Sequence, residues 1–267
     1  MINTRTHWRE HQRELATRWS IHEQLLIVSD FDGTLSPIVA HPNEARLAPG
    51  AADVLRALVA LQPRVRMAIL SGRALLDLDN RLPLGLDGLI IGGNHGLELR
   101  EAGMDWTHPY GASARPDMDA LLAQLRPLVA SAPGAEIEDK ELSLTLHYRR
   151  VVPTQLESLL CAVEQLGLPS SIQRKDAKMA IEFRPNLLWH KGYALRRLME
   201  RLGVRASSVV YIGDDTTDES AFLELGGQGI TIYVGSLTDP SAASWSADDP
   251  ADVVELLRVI ARVMASV

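Results

Sequence analysis

The sequence predicts a doubly wound, mostly parallel α/β sheet interrupted by a smaller α+β insert. Short unbroken apolar runs alternate with amphipathic stretches in the first and last thirds of the chain, and those runs lack period-2 alternation. The middle third alternates strictly instead. A strand covered on both faces has no polar side, whereas a strand covered on one face must alternate.

The elements follow in order. "LLIVS" (25–29), "RMAIL" (66–70), "LIIG" (89–92), "SVVYI" (208–212) and "ITIYV" (230–234) are short, rich in Val and Ile, and bounded by polar residues or Gly. They read as buried parallel strands. Helical spacing runs over 49–61, 188–203 and 214–225, and a last helix opens at "DDPADVV" with Asp249 as N-cap and Pro250 as its first residue. Strands alternating with helices imply βαβ units. From about 103 to 185 the order becomes helix (116–131), two strands, helix (153–166), two strands. In "LSLTLHYR", Leu142, Leu144, Leu146 and Tyr148 share one face and Ser143, Thr145, His147 and Arg149 the other. In "KMAIEFR", Met179, Ile181 and Phe183 oppose Lys178, Ala180, Glu182 and Arg184. Such strands are half-buried and antiparallel. The division expected is a core of 1–102 with 186–267 and an insert of 103–185.

Composition narrows the classes of function. With 267 residues, 46% hydrophobic and 23% charged, the chain reads as globular. A net charge of −7 argues against nucleic acid or an anionic membrane as partner. No run approaches the roughly 20 apolar residues of a membrane span. The charged first 24 residues lack the apolar centre of a signal peptide. A single cysteine, Cys161, fits a reducing cytoplasm, and its apolar helical context makes it a small core residue. A cytoplasmic monomer acting on a small molecule is expected.

The chemistry-bearing residues all follow predicted strands. Asp30-Phe31-Asp32-Gly33-Thr34 follows the first, Ser71-Gly72-Arg73 the second, Gly92-Gly93-Asn94-His95-Gly96 the third, and Gly213-Asp214-Asp215-Thr216-Thr217-Asp218-Glu219 the fourth. Carboxyl ends of strands line the ligand crevice of an open α/β sheet. A lone Asp-Gly is a turn. Two acidic clusters about 180 residues apart, at the same end of one sheet, need another explanation. Asp30, Asp32, Asp214, Asp215 and Asp218 converging on one edge call for a hard divalent cation, Mg²⁺, of the kind that accompanies phosphate substrates. One carboxylate then serves as nucleophile and another, two residues on, as acid and base. Lys191, opening a helix, balances the phosphoryl oxygens. Ser71 and Thr34, beside backbone N–H groups at strand ends, hold the rest of the phosphate.

These motifs resemble the haloacid dehalogenase-type phosphohydrolases. The resemblance implies that Asp30 is the nucleophile and Asp32 the acid and base, with Ser71 and Lys191 on the phosphate. It also implies Mg²⁺ held by Asp30, the Asp32 carbonyl and Asp214, supported by Asp215 or Asp218. The insert's position resembles the larger type C2 caps. "GNHGLELR" (93–100), "IEDKELSLTLHYR" (137–149), "KMAIEFRPN" (178–186) and "GDDTTDE" (213–219) are similar in particular to trehalose-6-phosphate phosphatases. That likeness covers about 23–262. It implies hydrolysis of trehalose 6-phosphate to trehalose and phosphate, with Arg73, His95, Glu138, Lys140, Arg149, Lys178 and Glu182 on the substrate. Lys140-Glu141 stands where the family often has Lys-Gly. For Glu138 and Lys140 to join the polar face, a turn or bulge is required there. Another capped sugar-phosphate phosphatase, a phosphomutase of the same fold and a regulatory module stay open as alternatives.

Overall fold

The computed structural model describes residues 5–39, 41–177 and 179–267, and the chain divides into two compact units. The first comprises 1–106 and 189–267, the second 107–188. Chain order begins with β1 (Thr6–His7), α1 (Gln12–Ser20), β2 (Leu25–Ser29), α2 (Ala51–Val59), β3 (Val65–Leu70), α3 (Leu75–Arg81), β4 (Ile90–Gly93), β5 (Glu98–Glu101) and β6 (Met104–Thr107). The insert supplies α4 (Pro109–Ser113), α5 (Arg115–Ala130), β7 (Glu136–Asp139), β8 (Leu144–His147), α6 (Pro153–Glu164), β9 (Ile172–Ala177) and β10 (Ala180–Pro185). The chain then returns through α7 (Lys191–Leu202), β11 (Val209–Gly213), α8 (Glu219–Leu225), β12 (Ile230–Val234), β13 (Trp245–Ala247) and α9 (Pro250–Ser266).

The first unit is a nine-stranded sheet of order β1-β13-β12-β11-β2-β3-β4-β5-β6, parallel from β1 through β4. β5 pairs antiparallel with β4. Alternate residues of one strand feed different cores. Leu25, Ile27, Met67 and Ile212 pack with α1, α2, α3 and α9, while Leu26, Val28, Ala68 and Tyr211 pack with α7 and α8. Both faces are covered, which is why these strands show no alternation. The charged leading segment adds β1 at the sheet edge and buries Trp8, Leu15 and Trp19. Asp249 caps α9, its side chain accepting from the Asp252 N–H at 2.9 Å.

The second unit is an antiparallel sheet of order β7-β8-β10-β9. Leu144, Leu146, Ile181 and Phe183 are buried with Met118, Leu121, Leu125, Leu159 and Val163 of α5 and α6. Register sets Glu138, Thr145, Glu182 and Lys175 in one row of the opposite face. Two expectations need correction. Met179 sits in the β9–β10 turn at φ 56 and is exposed rather than continuing the Ile181 face. Cys161 is exposed, because α6 turns Leu159 and Val163 to the core and Cys161 away. Among the described residues no helix is long and apolar enough to cross a membrane.

Candidate active site

The site forms where β2, β3, β4 and β11 end. The Asp30 N–H continues the ladder by donating to Ile212 O at 2.9 Å, so β2 and β11 deliver their acids side by side. Carboxylate oxygens of Asp30, Asp214 and Asp218 all lie within 4.8 Å of one another. Among them sits Lys191, the first residue of α7, buried to 1% exposure. Its Nζ is 2.8 Å from Asp30 Oδ2 and 2.8 Å from Asp218 Oδ1. The other Asp30 oxygen, Oδ1, accepts the Phe31 N–H at 2.7 Å.

Gly33 makes the close approach of the two segments that follow β2 and β11 possible. Its φ of +75 lies in the left-handed region, and a Cβ there would fall 1.9 Å from Asp214 Oδ2. Thr34 follows, fully buried, and donates its hydroxyl to Asp214 Oδ1 at 3.1 Å. Its hydroxyl proton is thereby directed to Asp214.

Charge in this cluster does not balance. Burial pushes the Asp214 carboxyl up to about 7, with Asp218 adding to the rise and the Thr34 hydrogen bond opposing it. Burial also raises Asp30 well above the usual carboxylate range, against Lys191 and with the help of Asp218 and Asp214. Lys191 stays charged: burial alone would favour losing its proton, and Asp218 and Asp30 outweigh that. Three acids thus face one ammonium. The donors are hard oxygens only, which suits a hard divalent cation that supplies the missing charge.

Asp218 has its oxygens committed to protein. Oδ1 accepts from Lys191 and from the Tyr211 hydroxyl at 2.8 Å, and Oδ2 accepts the Asp215 N–H at 3.1 Å. Tyr211, wholly buried on β11, was not expected here. The aromatic body gives it a place in the core while its hydroxyl reaches the site. Asp215 points outward, exposed, and takes the Thr216 N–H at 2.7 Å and the Thr216 hydroxyl. These side-chain bonds hold 214–217 as a loop, and α8 begins at Glu219 rather than at 214.

Asp32 stands apart from the acid cluster. Its Oδ2 and Oδ1 accept from Arg73 Nε and Nη2, both at 2.7 Å. Arg73 also reaches Asp77 Oδ2 through Nη1 at 2.8 Å and Pro42 O through Nη2 at 3.0 Å. Its guanidinium is therefore occupied by protein acceptors. Ser71, buried, accepts the Arg73 N–H at 3.2 Å and keeps its hydroxyl proton to donate. The 94–96 loop laces to this one: Asn94 N–H donates to Arg73 O at 2.7 Å and His95 N–H to Ser71 O at 2.8 Å. Asn94 and His95 both take positive φ, 49 and 57. The His95 ring lies where a Cβ on Gly72 would be, 2.8 Å from its Cε1, so Gly72 makes room for it.

The insert's expected residues lie in the second unit. The turn required between Lys140 and Leu142 is there: Glu141 adopts φ 66 and Leu142 N–H returns to Lys140 O at 2.8 Å. This hairpin places Glu138 opposite Thr145 on the polar face. Glu138 Oε2 is 3.0 Å from His147 Nε2 and 3.8 Å from Lys140 Nζ. His147 was legible as a polar-face residue but not as a partner of Glu138. Glu182 shares the row. Arg149 lies beyond the end of β8, exposed in a turn rather than on the strand face. Lys178 lies outside the described residues.

Comparison with known proteins places the chain in a family. A family model described as Trehalose-phosphatase matches residues 28–251. An uncharacterized glycosyl hydrolase of Mycobacterium tuberculosis (strain CDC 1551 / Oshkosh) is 38% identical over 243 residues, 87% of this chain and 18% of that protein. A trehalose-phosphate phosphatase of Mycobacterium bovis (strain BCG / Pasteur 1173P2) is 35% identical over 251 residues, 91% of this chain and 62% of that one. The chain thus spans less than two thirds of the length of these relatives. A solved trehalose-6-phosphate phosphatase related protein superposes at TM-score 0.77 with 25% identity, covering 90% of this chain and 99% of its own. A haloacid dehalogenase-like hydrolase of Bacteroides thetaiotaomicron shares the fold at TM-score 0.59 and 18% identity, over 88% of this chain and 98% of that one. The chain belongs to the trehalose-phosphatase family.

Proposed function

We propose that the chain is a Mg²⁺-dependent phosphatase that hydrolyses trehalose 6-phosphate to trehalose and phosphate through an aspartyl-phosphate on Asp30. The observation that carries this reading is the buried contact of Lys191 with Asp30 inside a cluster holding more acid than base. Asp30 and Asp214 would hold the ion. Bound there, Mg²⁺ supplies positive charge against the carboxylates and the phosphoryl oxygens. Asp218, with its oxygens on Lys191, Tyr211 and Asp215, supports the site by fixing Lys191.

The residues divide the reaction into two steps. An Asp30 carboxylate oxygen bonds to phosphorus as the bond from phosphorus to the sugar oxygen breaks, and the departing alkoxide takes a proton from Asp32. Water then attacks phosphorus, giving its proton to Asp32 and releasing the Asp30 carboxylate. Lys191 and the Ser71 hydroxyl steady the phosphoryl oxygens through both. The substrate class is supported by family membership and by relatives named trehalose-phosphate phosphatase. In this reading the second unit corresponds to the family's cap, whose Glu138, Lys140, Glu182 and His147 carry the kinds of mixed donors and acceptors that sugar hydroxyls need.

The test is phosphate release from trehalose 6-phosphate, sucrose 6-phosphate, glucose 6-phosphate and mannosyl-3-phosphoglycerate, with Mg²⁺ and again with EDTA. Mg²⁺-dependent release that strongly prefers trehalose 6-phosphate is expected. Preference for another ester would overturn the sugar assignment, and EDTA-insensitive turnover would overturn the metal.

A further inference from the structure

Beside the acid cluster runs a second polar system with a different design. Asp32, Arg73, Asp77 and Arg81 alternate in sign along one connected chain of ion pairs. Arg81 donates from Nε to Asp77 Oδ2 at 2.9 Å and from Nη2 to Asp77 Oδ1 at 2.7 Å. Its Nη1 binds Ala45 O at 3.0 Å and Asn43 O at 3.3 Å, while Arg73 holds Pro42 O. The Arg73 and Arg81 side chains are only 7% and 8% exposed. Asp77 and Arg81 both lie on α3, four residues apart and so on one helix face.

This arrangement is more than is needed to bury charge. Arg73 grips Asp32 through two parallel N–H bonds, a geometry that fixes the plane of the carboxylate. An arginine side chain has four rotatable bonds, so the grip is only as firm as the hold on the guanidinium. That hold comes from Asp77 on one side and Pro42 O on the other, with the Phe31 ring 5.6 Å from the guanidinium carbon. Asp77 in turn is held by Arg81, which is tied to the 43–45 backbone. The orientation of a reacting carboxylate is thereby referred to a helix and a loop that carry none of the residues placed on the phosphate.

We propose that Asp77 and Arg81 are positioning residues which, through Arg73, fix the Asp32 carboxylate in the orientation from which it exchanges protons with the leaving sugar oxygen and with water. The proposal rests on the reading of Asp32 as acid and base. It recasts Arg73 as a residue that orients Asp32 rather than one that binds substrate. A misaligned Asp32 harms an ester whose leaving group must be protonated and spares one whose leaving group departs as a stable anion.

The experiment compares kcat/KM for the sugar phosphate that the wild type hydrolyses best with kcat/KM for p-nitrophenyl phosphate. This quantity reports the steps through departure of the leaving group. For Asp77→Asn the sugar-phosphate value is expected to fall about tenfold and the p-nitrophenyl phosphate value by less than about twofold, a fraction of what general acid catalysis supplies. Arg81→Gln, which leaves Asp77 on Arg73, should show the same pattern more weakly and keeps the test open if Asp77→Asn does not fold. Asp32→Asn is the reference and should show the pattern most strongly. Equal losses on both esters, or no loss on either, overturn the proposal. If Asp32→Asn itself loses activity on both esters alike, the acid and base reading fails first and the proposal falls with it.

Discussion

Two groups of acids leave the same end of the sheet and obey opposite electrostatic rules. In the cluster of Asp30, Asp214, Asp218 and Lys191, three carboxylates share one ammonium, and burial raises Asp30 and Asp214. In the ladder of Asp32, Arg73, Asp77 and Arg81, each acid meets a guanidinium. Burial would raise Asp77, but hydrogen bonds from Arg81 and Arg73 carry it below its ordinary value. A third group, His7, Asp248 and Asp252, resembles the ladder: Asp252 accepts from Trp8 Nε1 at 2.9 Å, Arg9 Nε at 2.8 Å and the Asp248 N–H at 3.1 Å. Number of acids is thus a poor guide to a ligand site. Charge left over after the protein's own donors are counted is a better one.

The comparison breaks most visibly at Gly33. Gly33→Ala would place a methyl group against the Asp214 carboxylate and force an L-residue into the left-handed region. Activity is expected to fall about 10- to 100-fold with a parallel loss of Mg²⁺ affinity, the scale on which disturbed support of a metal ligand acts. Isothermal titration with Mg²⁺ beside steady-state kinetics checks both. Unchanged Mg²⁺ affinity would mean that Asp214 does not hold the ion.

A milder test uses the opposite signs of the two groups. In cation-free protein the Asp214 carboxyl near 7 lies above its ordinary 3.8. Its contribution to stability is therefore full below about pH 4 and lost as pH rises through about 7. Asp77 has a lowered carboxyl, so its contribution is present above the ordinary value and is lost as pH falls. Mg²⁺ must displace protons from the cluster to bind. It should accordingly raise Tm more at about pH 7.5 than at about pH 5.5, and the difference should shrink in Asp214→Asn, where only Asp30 is left with a raised carboxyl at the ion. An equal Mg²⁺ shift at both pH values would contradict the unbalanced cluster.

The smallest effect is expected at Tyr211→Phe, which removes one donor to Asp218 and leaves Lys191 and the Asp215 N–H in place. Stability should drop by about 0.5–1.5 kcal/mol, with activity reduced but retained. Chemical denaturation measures this directly.

Much of this was legible because it is local. The buried strands announced themselves by unbroken apolar runs, and the two acidic motifs by their place at strand ends. Even the Glu141 turn followed from parity, since Glu138 and Ser143 cannot share a face across a straight strand. What escaped depends on distant parts of the chain meeting. Tyr211 reads as one more apolar strand residue, and its hydroxyl bond to Asp218, though only seven residues on, depends on how the 214–217 loop turns back. Arg73 follows Ser71 in a loop suited to phosphate, and nothing in the sequence tells that its guanidinium turns to Asp32 and Asp77. The strands at 6–7, 98–101, 104–107 and 245–247 hold two to four residues each, too few for any period to show.

The central claim is that Asp30 carries the phosphoryl group between the two steps. With p-nitrophenyl phosphate, whose leaving group needs no proton, Asp32→Asn should keep the attack by Asp30 while losing activation of water, so the intermediate accumulates. The variant would be mixed with p-nitrophenyl phosphate and Mg²⁺, quenched in acid, reduced with borohydride and digested for peptide mass analysis. An acyl phosphate on an aspartate is reduced to homoserine. Homoserine at position 30, and at no other aspartate, is the predicted result. Turnover that continues with Asp30 unmodified, or homoserine at Asp214 or Asp218 instead, would contradict the account.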